Sequence, residues 1–259
     1  MGLALHNYHD TNGYFPPGRG AVYNGALNHI QPFMEMQNSV NAYMELSTNW
    51  FRHPAVAGIW TYWYLPTHSN VAAAGNVAAQ ETFDAFICPS VETDARRDRK
   101  LAFVLAYDDG TTSPGQREGA YDAGLSTYMP CIGLGGGTTY RGLFVANRVH
   151  TISDILDGTS NTLAVGEYLG GPLSAGDSDI YRASWMGGMR MSSLNQPWRQ
   201  NSSRLTDLPV DRFSSRHPQI TQFASADASV RPLRNSVDLW TFRYINGIAD
   251  GVVSNPTHY

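Results

Sequence analysis

Two histidines near the start of the chain have the spacing of residues that share one face of a helix. His6 and His9 lie three positions apart, so a helix would place both imidazoles side by side. A zinc site would need a third protein ligand, for which Asp10 is the nearest acidic side chain, and no HExxH pattern occurs. The same imidazoles can instead hydrogen-bond the Pro-Pro-Gly loop at 16–18. The spacing favours this structural role, with metal binding as the alternative.

A loop rich in small polar residues, DGTSNT, spans positions 157–162. Asp157 and Asn161 offer oxygen ligands of the kind that calcium prefers. The same residue types form Asx-turns and Ser/Thr-turns, which satisfy nearby backbone groups. The spacing is not that of an EF-hand, so the pattern favours a structural turn, with calcium as the alternative. The other members of this motif that we single out are Gly158, Ser160 and Thr162.

A third candidate is the pair His217 and Asp227, which are separated by nine residues. With Ser229 or Ser160 they would make up a hydrolytic triad. No Gly-x-Ser-x-Gly elbow occurs, and nothing in the pattern builds an oxyanion hole. We therefore predict that the protein is not an enzyme, and that His217 bonds backbone at the entrance to a strand.

Glu167 is the only acidic residue in a mostly apolar, strand-like stretch. A buried carboxylate needs a partner, for which an arginine is the natural choice. The pattern favours a structural ion pair over a catalytic acid.

The two cysteines, Cys88 and Cys131, leave two alternatives open. They can form one disulfide, which export would favour, or remain two buried thiols. They cannot supply a four-ligand zinc site, and neither lies in a CxxC motif.

The most aromatic segment of the chain offers a binding surface. Aromatic side chains here could stack on sugar rings or on a partner protein, although core or subunit packing is favoured. The residues are Trp60, Tyr62, Trp63 and Tyr64.

Composition excludes several classes of function. The 259 residues carry 18 basic and 22 acidic side chains, for a net charge of -4, so no overall positive field attracts nucleic acid. No apolar run reaches the roughly 18–20 residues that a bilayer crossing needs. There is no internal repeat and no clear linker, so we predict one domain over residues 1–259.

The elements that must position these residues run from an initial helix to short strands. Apolar spacing predicts that the chain begins inside a helix, which Asn12-Gly13 ends. Further predicted helices lie at 28–46, 70–81 and 239–245, with Ser236 or Asp238 as the cap of the last one. Strands are predicted at 83–88, 101–107, 142–145, 162–168, 180–186, 220–226 and 229–233, the last two as a hairpin, and 108–142 is predicted to be rich in loops. This order predicts an α+β fold in which a leading helix packs on an antiparallel sheet with long loops.

Four segments together resemble one family. They are GLALHNYHDTNGYFPPG at 2–18, FICPS at 86–90, GLFVANRVHTISDILDGTSNTLAVGE at 142–167 and FSSRHPQITQFASADASVRPL at 213–233. The chain resembles bacterial prepilin-type proteins with a processing-associated H-x9-DG C-terminal domain, a family of unknown function. Ala228 stands where that family has glycine, which suggests a different type of turn.

The resemblance implies a pilin-like fold in which residues 1–10 are the end of a truncated N-terminal helix and 213–259 form the H-x9-DG-type region. It implies a precursor anchored in the inner membrane by the missing hydrophobic helix, then exported to the periplasm or cell surface. It also implies assembly with copies of itself or with other pilin-like subunits, as in a type IV pilus or a type II secretion system, without a cofactor. The alternative function is a surface glycan-binding module that uses the aromatic segment at 60–64.

Overall fold

The fold combines helices with antiparallel sheets, which confirms the predicted α+β class. The computed structural model describes residues 1–18, 25–38, 81–91, 101–102, 118–119, 124–134, 139–145, 148–171, 182–185, 193, 197 and 211–252. The aromatic segment at 60–64 lies outside these residues, and so does the predicted helix at 70–81 apart from residue 81, which is not helical. Within the described ranges, none of the helices combines the length and hydropathy that a bilayer crossing requires.

The first helix, α1 (Gly2–Asn12), ends where the sequence predicts. Gly13 has a φ of 81°, a left-handed conformation that glycine adopts without strain, and its N–H donates to the carbonyl of His9 at 2.7 Å. One face of α1 buries Ala4, Leu5 and Tyr8 in the apolar core. The helix is therefore an integral part of the fold.

The prediction of one continuous helix over 28–46 is wrong. A single helical turn, α2 (Ala26–His29), is followed by a separate 3-10 turn at Gln31–Met34, and Glu35 then has a φ of 61°. Pro32 explains the break, because it has no N–H for the carbonyl of Asn28 and its ring would collide with that carbonyl. Residues 39–46 lie outside the described part of the chain.

Eight strands are described. They are β1 (Leu101–Ala102), β2 (Glu118–Gly119), β3 (Leu125–Ser126), β4 (Tyr128–Pro130), β5 (Leu163–Glu167), β6 (Ala183–Ser184), β7 (Ile220–Ser225) and β8 (Val230–Arg234). Two-stranded sheets pair β1 with β2 and β3 with β6, and a four-stranded sheet has the order β4-β5-β7-β8. All of these pairs are antiparallel. The predicted hairpin is β7–β8, and the strand predicted at 162–168 is β5.

Three expectations about strands are wrong. Residues 83–88 contain a 3-10 turn at Asp84–Phe86, which brings the rings of Phe83 and Phe86 to within 5.4 and 6.3 Å of the buried Trp185 ring. Residues 142–145 contain no strand. The N–H groups of Gly142 and Phe144 donate to the carbonyls of Ile132 and Cys131, but the ladder beside them is limited to one isolated bridge between Gly133 and Arg141. The region predicted to be rich in loops, 108–142, contains β2, β3 and β4.

Side chains on opposite faces of the four-stranded sheet enter two apolar clusters. Phe223 belongs to the cluster that contains Phe242 and Ile245 of the last helix, α3 (Leu239–Asn246), whereas Ala224 packs against the cluster that contains α1. This alternation follows from the two-residue period of a strand. Asp238 caps α3, as predicted, by accepting the N–H groups of residues 240 and 241. The sheet is therefore covered on one face by α1 and on the other by α3.

Candidate functional site

Three reactive side chains that lie far apart in the sequence meet at one end of the four-stranded sheet. Glu167 is the last residue of β5, Cys88 follows the 3-10 turn at 84–86, and His217 lies just before β7. The Sγ atom of Cys88 lies 3.2 Å from Oε1 of Glu167, and Nε2 of His217 lies 3.3 Å from the same oxygen. Sγ and Nε2 are 4.0 Å apart. We call these three residues the Cys-Glu-His cluster.

Glu167 is the centre of this cluster and is only 3% exposed. Its second oxygen, Oε2, accepts the backbone N–H of Gln222 at 2.8 Å, so the carboxylate is held across the pairing of β5 with β7. The partner expected for a buried glutamate is thus present, but it is a histidine with a thiol and a backbone amide rather than an arginine. These contacts satisfy both carboxylate oxygens.

Cys88 is positioned by the bend between β3 and β4. Its backbone N–H donates to Oγ1 of Thr127 at 2.6 Å, and the side chain is buried. Burial raises the pKa of the Cys88 thiol, a hydrogen bond from the Ser90 backbone opposes this, and the Glu167 carboxylate raises the pKa further. The sulfur is therefore a protonated thiol that donates to Glu167.

His217 is held by a short loop before β7. Its backbone N–H donates to Oγ of Ser215 at 3.1 Å, and that hydroxyl donates to the carbonyl of Ile220 at 2.6 Å. Gln219, in the same loop, has a φ of 64°, a left-handed conformation that is uncommon outside glycine and that often marks a functional segment. The loop keeps the imidazole over Glu167 while leaving its side chain 31% exposed.

This arrangement is not that of a cysteine nucleophile with its base. In such a triad, the thiol and the acid face different ring nitrogens of the histidine. Here Cys88 and Glu167 both approach Nε2 of His217, and the raised pKa of Cys88 disfavours a thiolate. The cluster is suited instead to a hydrogen-bonded network or to a metal ion. Over the described ranges, it is the one group of three or more His, Cys, Asp or Glu side chains whose ligand atoms converge, all lying within 4.8 Å of one another.

The cluster opens into a cavity of about 440 Å³. Tyr128 of β4 and Gln222 and Ala224 of β7 form part of its wall. Burial, together with the nearby Cys88 and Glu167, raises the pKa of Tyr128, so its hydroxyl remains protonated at neutral pH. The cavity therefore offers mainly apolar surface around one polar corner.

The DGTSNT loop serves a structural role in the fold. Asp157 is 5% exposed, and its two carboxylate oxygens accept the backbone N–H groups of Asp250 at 2.8 Å and Gly251 at 3.0 Å. Asn161 donates from its amide to the carbonyl of residue 157. Both oxygens of Asp157 are thus used by donors, an arrangement that competes with calcium.

The remaining motif residues determine the backbone conformation of this loop and add further hydrogen bonds. Gly158 has a φ of 95°, Ser160 is exposed, and Oγ1 of Thr162 lies 3.2 Å from the carbonyl oxygen of residue 158 and 3.3 Å from that of Gly247. The loop consequently joins β5 to the segment that follows α3, up to Gly251.

The H-x9-D pair does not come together. His217 and Asp227 lie at opposite ends of β7, a strand of six residues that spans about 20 Å. Asp227 instead accepts the N–H and the hydroxyl of Ser229 at 2.9 and 2.6 Å, which stabilises the hairpin turn and lowers the pKa of its carboxyl despite partial burial. The two residues therefore belong to separate sites, and no triad forms with Ser229.

Ala228, where the resembled family has glycine, lies in the hairpin turn in a left-handed conformation. Ala228 has a φ of 68°, and its N–H donates to the carbonyl of Ser225 at 3.0 Å. This is the left-handed position of a hairpin with a bulge, which glycine would occupy without strain. Alanine is therefore accommodated at this position at an energetic cost.

His6 and His9 share a face of α1 but do not form a metal site with a third ligand in the described structure. Nε2 of His6 lies 2.8 Å from the carbonyl oxygen of Ala226, and Nε2 of His9 accepts the N–H of Ile152 at 3.4 Å. Both rings contact Phe15, just before the Pro-Pro-Gly loop. These histidines thus join α1 to two distant segments of backbone.

The two cysteines are free thiols and are not bonded to each other. Cys131 is completely buried in the cluster that contains α3, whereas Cys88 belongs to a separate small cluster with Val91 and Leu169. The alternative of two buried thiols is therefore the one seen in the structure. The aromatic residues proposed to contact glycans lie outside the described residues, and that function stays a prediction.

Every member of the Cys-Glu-His cluster is a candidate site residue in the sequence, but the sequence does not predict that the three meet. Cys88 lies 79 residues from Glu167 and 129 from His217, so no local spacing connects them. One feature of the sequence does connect the three residues: each lies in a different one of the four segments that carry the family resemblance. Pairing them requires the strand order, which the sequence alone does not provide.

The model of the family described as "Protein of unknown function (DUF1559)" matches residues 1–239. No curated protein and no solved structure matches the chain.

Proposed function

This chain belongs to the DUF1559 family of proteins of unknown function, and from that premise we propose that it is a non-enzymatic, pilin- or pseudopilin-like structural subunit of the bacterial surface or of a secretion system. In this proposal, an apolar helix precedes α1 and anchors the precursor in the inner membrane. Copies of the chain, or related subunits, then assemble through that helix, and the globular part is displayed in the periplasm or outside the cell. The driving force for assembly is burial of apolar helix surface.

The observation that carries the proposal is the way in which α1 is held. Leu5 and Tyr8 are buried in the core, and the ring of His6 bonds the carbonyl of Ala226 at the tip of the β7–β8 hairpin. At the start of the helix, a methyl group on Gly2 would come within 2.8 Å of Cβ of Ala228. A helix anchored at so many points can transmit force between an upstream anchor and the globular part.

The motif residues support the same interpretation, because they hold segments together. The hairpin tip is bonded to the DGTSNT loop through the N–H of Ala226, which donates to the carbonyl of Thr162 at 2.8 Å, and the N–H of Asp227, which donates to that of Thr159 at 3.2 Å. Asp157 binds the segment after α3 in turn. The resemblance to the H-x9-DG-type proteins thus rests on residues that stabilise a displayed domain.

The first test is mass spectrometry of the amino terminus of the native protein, isolated from a membrane fraction of the source cell. We expect a mature chain that starts some tens of residues upstream of Gly2, at a methylated residue that leads an apolar helix. A native protein that starts at Met1 and is recovered in the soluble fraction would rule out the assembly mechanism.

The second test uses the outward face of α1. Leu3 is 72% exposed, and Asn7 lies one helical turn later on the same exposed face. In the native protein with its upstream segment, Leu3→Glu should reduce co-sedimentation of the subunits, since it places a charge where neighbouring helices would pack. Asn7→Glu is the matched control, because it adds the same charge at a position that is already polar. Equal co-sedimentation of both variants and of the unmodified protein would exclude packing through this face.

A further inference from the structure

We propose that Cys88, Glu167 and His217 bind one Zn²⁺ ion, with a water molecule from the adjoining cavity as the fourth ligand. This inference goes beyond the proposed assembly role and does not depend on it. It rests on the geometry, the chemistry and the burial of the Cys-Glu-His cluster.

The three ligand atoms already lie close to the corners that a tetrahedral zinc ion requires. With zinc bonds of about 2.3 Å to sulfur and about 2.0 Å to nitrogen and oxygen, tetrahedral ligand atoms are separated by roughly 3.3 to 3.6 Å. The observed separations are 3.3 Å between His217 and Glu167, 3.2 Å between Cys88 and Glu167, and 4.0 Å between Cys88 and His217. Small side-chain rotations, each moving an atom by about half an ångström, are sufficient to close the site around zinc.

The set of donor atoms selects the class of metal. A thiolate, an imidazole nitrogen and a carboxylate oxygen together suit zinc, whereas calcium and magnesium prefer oxygen ligands alone. Three protein ligands leave one coordination position, and all three residues line the cavity from which water can fill it. This is the ligand count of zinc sites that keep an open position.

Contacts outside the cluster hold the three ligands in different ways. The carboxylate of Glu167 is itself oriented by the N–H of Gln222, as ligating carboxylates are in metal sites. Cys88 and His217 are held at their backbone N–H groups, which donate to Thr127 and to Ser215, so the backbone from which each side chain projects is fixed.

Charge and protons balance on binding. The Cys88 thiol loses its proton to solvent, its hydrogen bond to Glu167 is replaced by a sulfur–zinc bond, and His217 binds as the neutral imidazole. The two positive charges of zinc then offset the negative charges of the Cys88 thiolate and the Glu167 carboxylate. The buried site is electrically neutral when loaded, which limits the cost of desolvation.

The test is metal titration of the purified full chain after treatment with a chelator. Calorimetry with Zn²⁺ should give one site per chain, and Co²⁺ should give the absorption band of a thiolate–cobalt bond. Cys88→Ala and His217→Asn should each weaken zinc binding by at least about 100-fold, the upper end of what outer contacts alone are worth. Cys131→Ala is the matched control, because it removes the other buried thiol, which lies outside the cluster, and it should bind zinc like the unmodified protein.

A second readout protects the test against variants that fail to fold. In the unmodified protein, Zn²⁺ should slow alkylation of Cys88 clearly more than that of Cys131, as measured by mass spectrometry of the modified peptides, because Cys131 is completely buried and is affected only through the stability of the fold. The proposal is overturned if the unmodified protein binds no zinc, if Co²⁺ binds without the thiolate band, or if zinc leaves the alkylation of Cys88 unaffected.

Discussion

Replacing Asp250 with asparagine should stabilise the protein at neutral pH and have little effect near pH 4. Burial and the charge of Asp157 raise the pKa of Asp250 from 3.8 to about 6. The folded state therefore binds this proton more tightly than the unfolded state does. The favourable contribution of the protonated group is fully present below about pH 4 and is lost as the pH rises through about 6.

The magnitude follows from the size of the shift and from the position of the carboxyl group. A shift of about two pKa units corresponds to at most about 3 kcal/mol. Asp250 is only partly buried, and solvent screening reduces the effect to about 1 kcal/mol. Asparagine can keep the oxygen that accepts the N–H of Val252 at 2.8 Å, and it replaces Oδ2, for which no hydrogen-bond partner is found, with an uncharged amide.

The assay is urea unfolding of the unmodified protein and of Asp250→Asn at several pH values from about 4 to about 7. The variant should be about 1 kcal/mol more stable at neutral pH, and the difference should shrink toward zero as the pH falls. Asp10→Asn, at an exposed carboxylate, is the control for simple removal of a charge. A difference that does not change with pH, or a variant that is less stable at pH 7, would refute the reasoning.

Three other substitutions test the fold. Ala228→Gly should raise the free energy of unfolding by about 0.5 to 1 kcal/mol, because release of left-handed strain exceeds the entropic cost of glycine; a lower urea midpoint would contradict this. Gly166→Ala should cost about 1 to 3 kcal/mol, since a methyl group there would overlap the ring of Phe223, and an unchanged thermal midpoint would argue against that packing. Asp157→Ala should cost about 3 kcal/mol through loss of two charged hydrogen bonds to backbone, and faster exchange of those two amide hydrogens is the accompanying readout.

The sequence predicted best where local chemistry decides the structure. Gly13 ends α1 because glycine alone takes the left-handed conformation cheaply, and Asp238 caps α3 because its side chain reaches the first free N–H groups. The β7–β8 hairpin follows from two short runs that contain β-branched and aromatic residues on either side of the turn at Asp227-Ala228. Each of these features involves residues close together in the chain.

Prediction failed where distant contacts override local preference. The stretch Phe83–Cys88 has the composition of a strand, but packing of two phenylalanine rings on Trp185, about 100 residues away, favours a tight turn. The strands β3 and β4 lie in a segment rich in glycine and gain their hydrogen bonds from β6 and β5, which come later in the chain. No window of sequence contains both partners of these pairs.

In the candidate site, too, local chemistry is predictable from the sequence and distant contacts are not. The prediction that a buried Glu167 needs a partner follows from the cost of burying a carboxylate. The identity of that partner depends on the antiparallel pairing of β5 with β7, which brings the loop carrying His217 beside the end of β5. The sequence therefore predicts that Glu167 has a hydrogen-bonding partner, whereas the identity of that partner follows only from the strand order.

The bond between His6 of α1 and Ala226 of the hairpin tip has a consequence for biosynthesis. These residues are 220 positions apart, so α1 leaves the ribosome long before its docking surface exists. At a synthesis rate of about 5 to 20 residues per second, the apolar face of α1 remains uncovered for roughly 10 to 45 seconds before the hairpin is synthesised. During that interval the amino-terminal segment is available to chaperones or to a translocation machine, and the domain closes around it only when the carboxyl-terminal strands arrive.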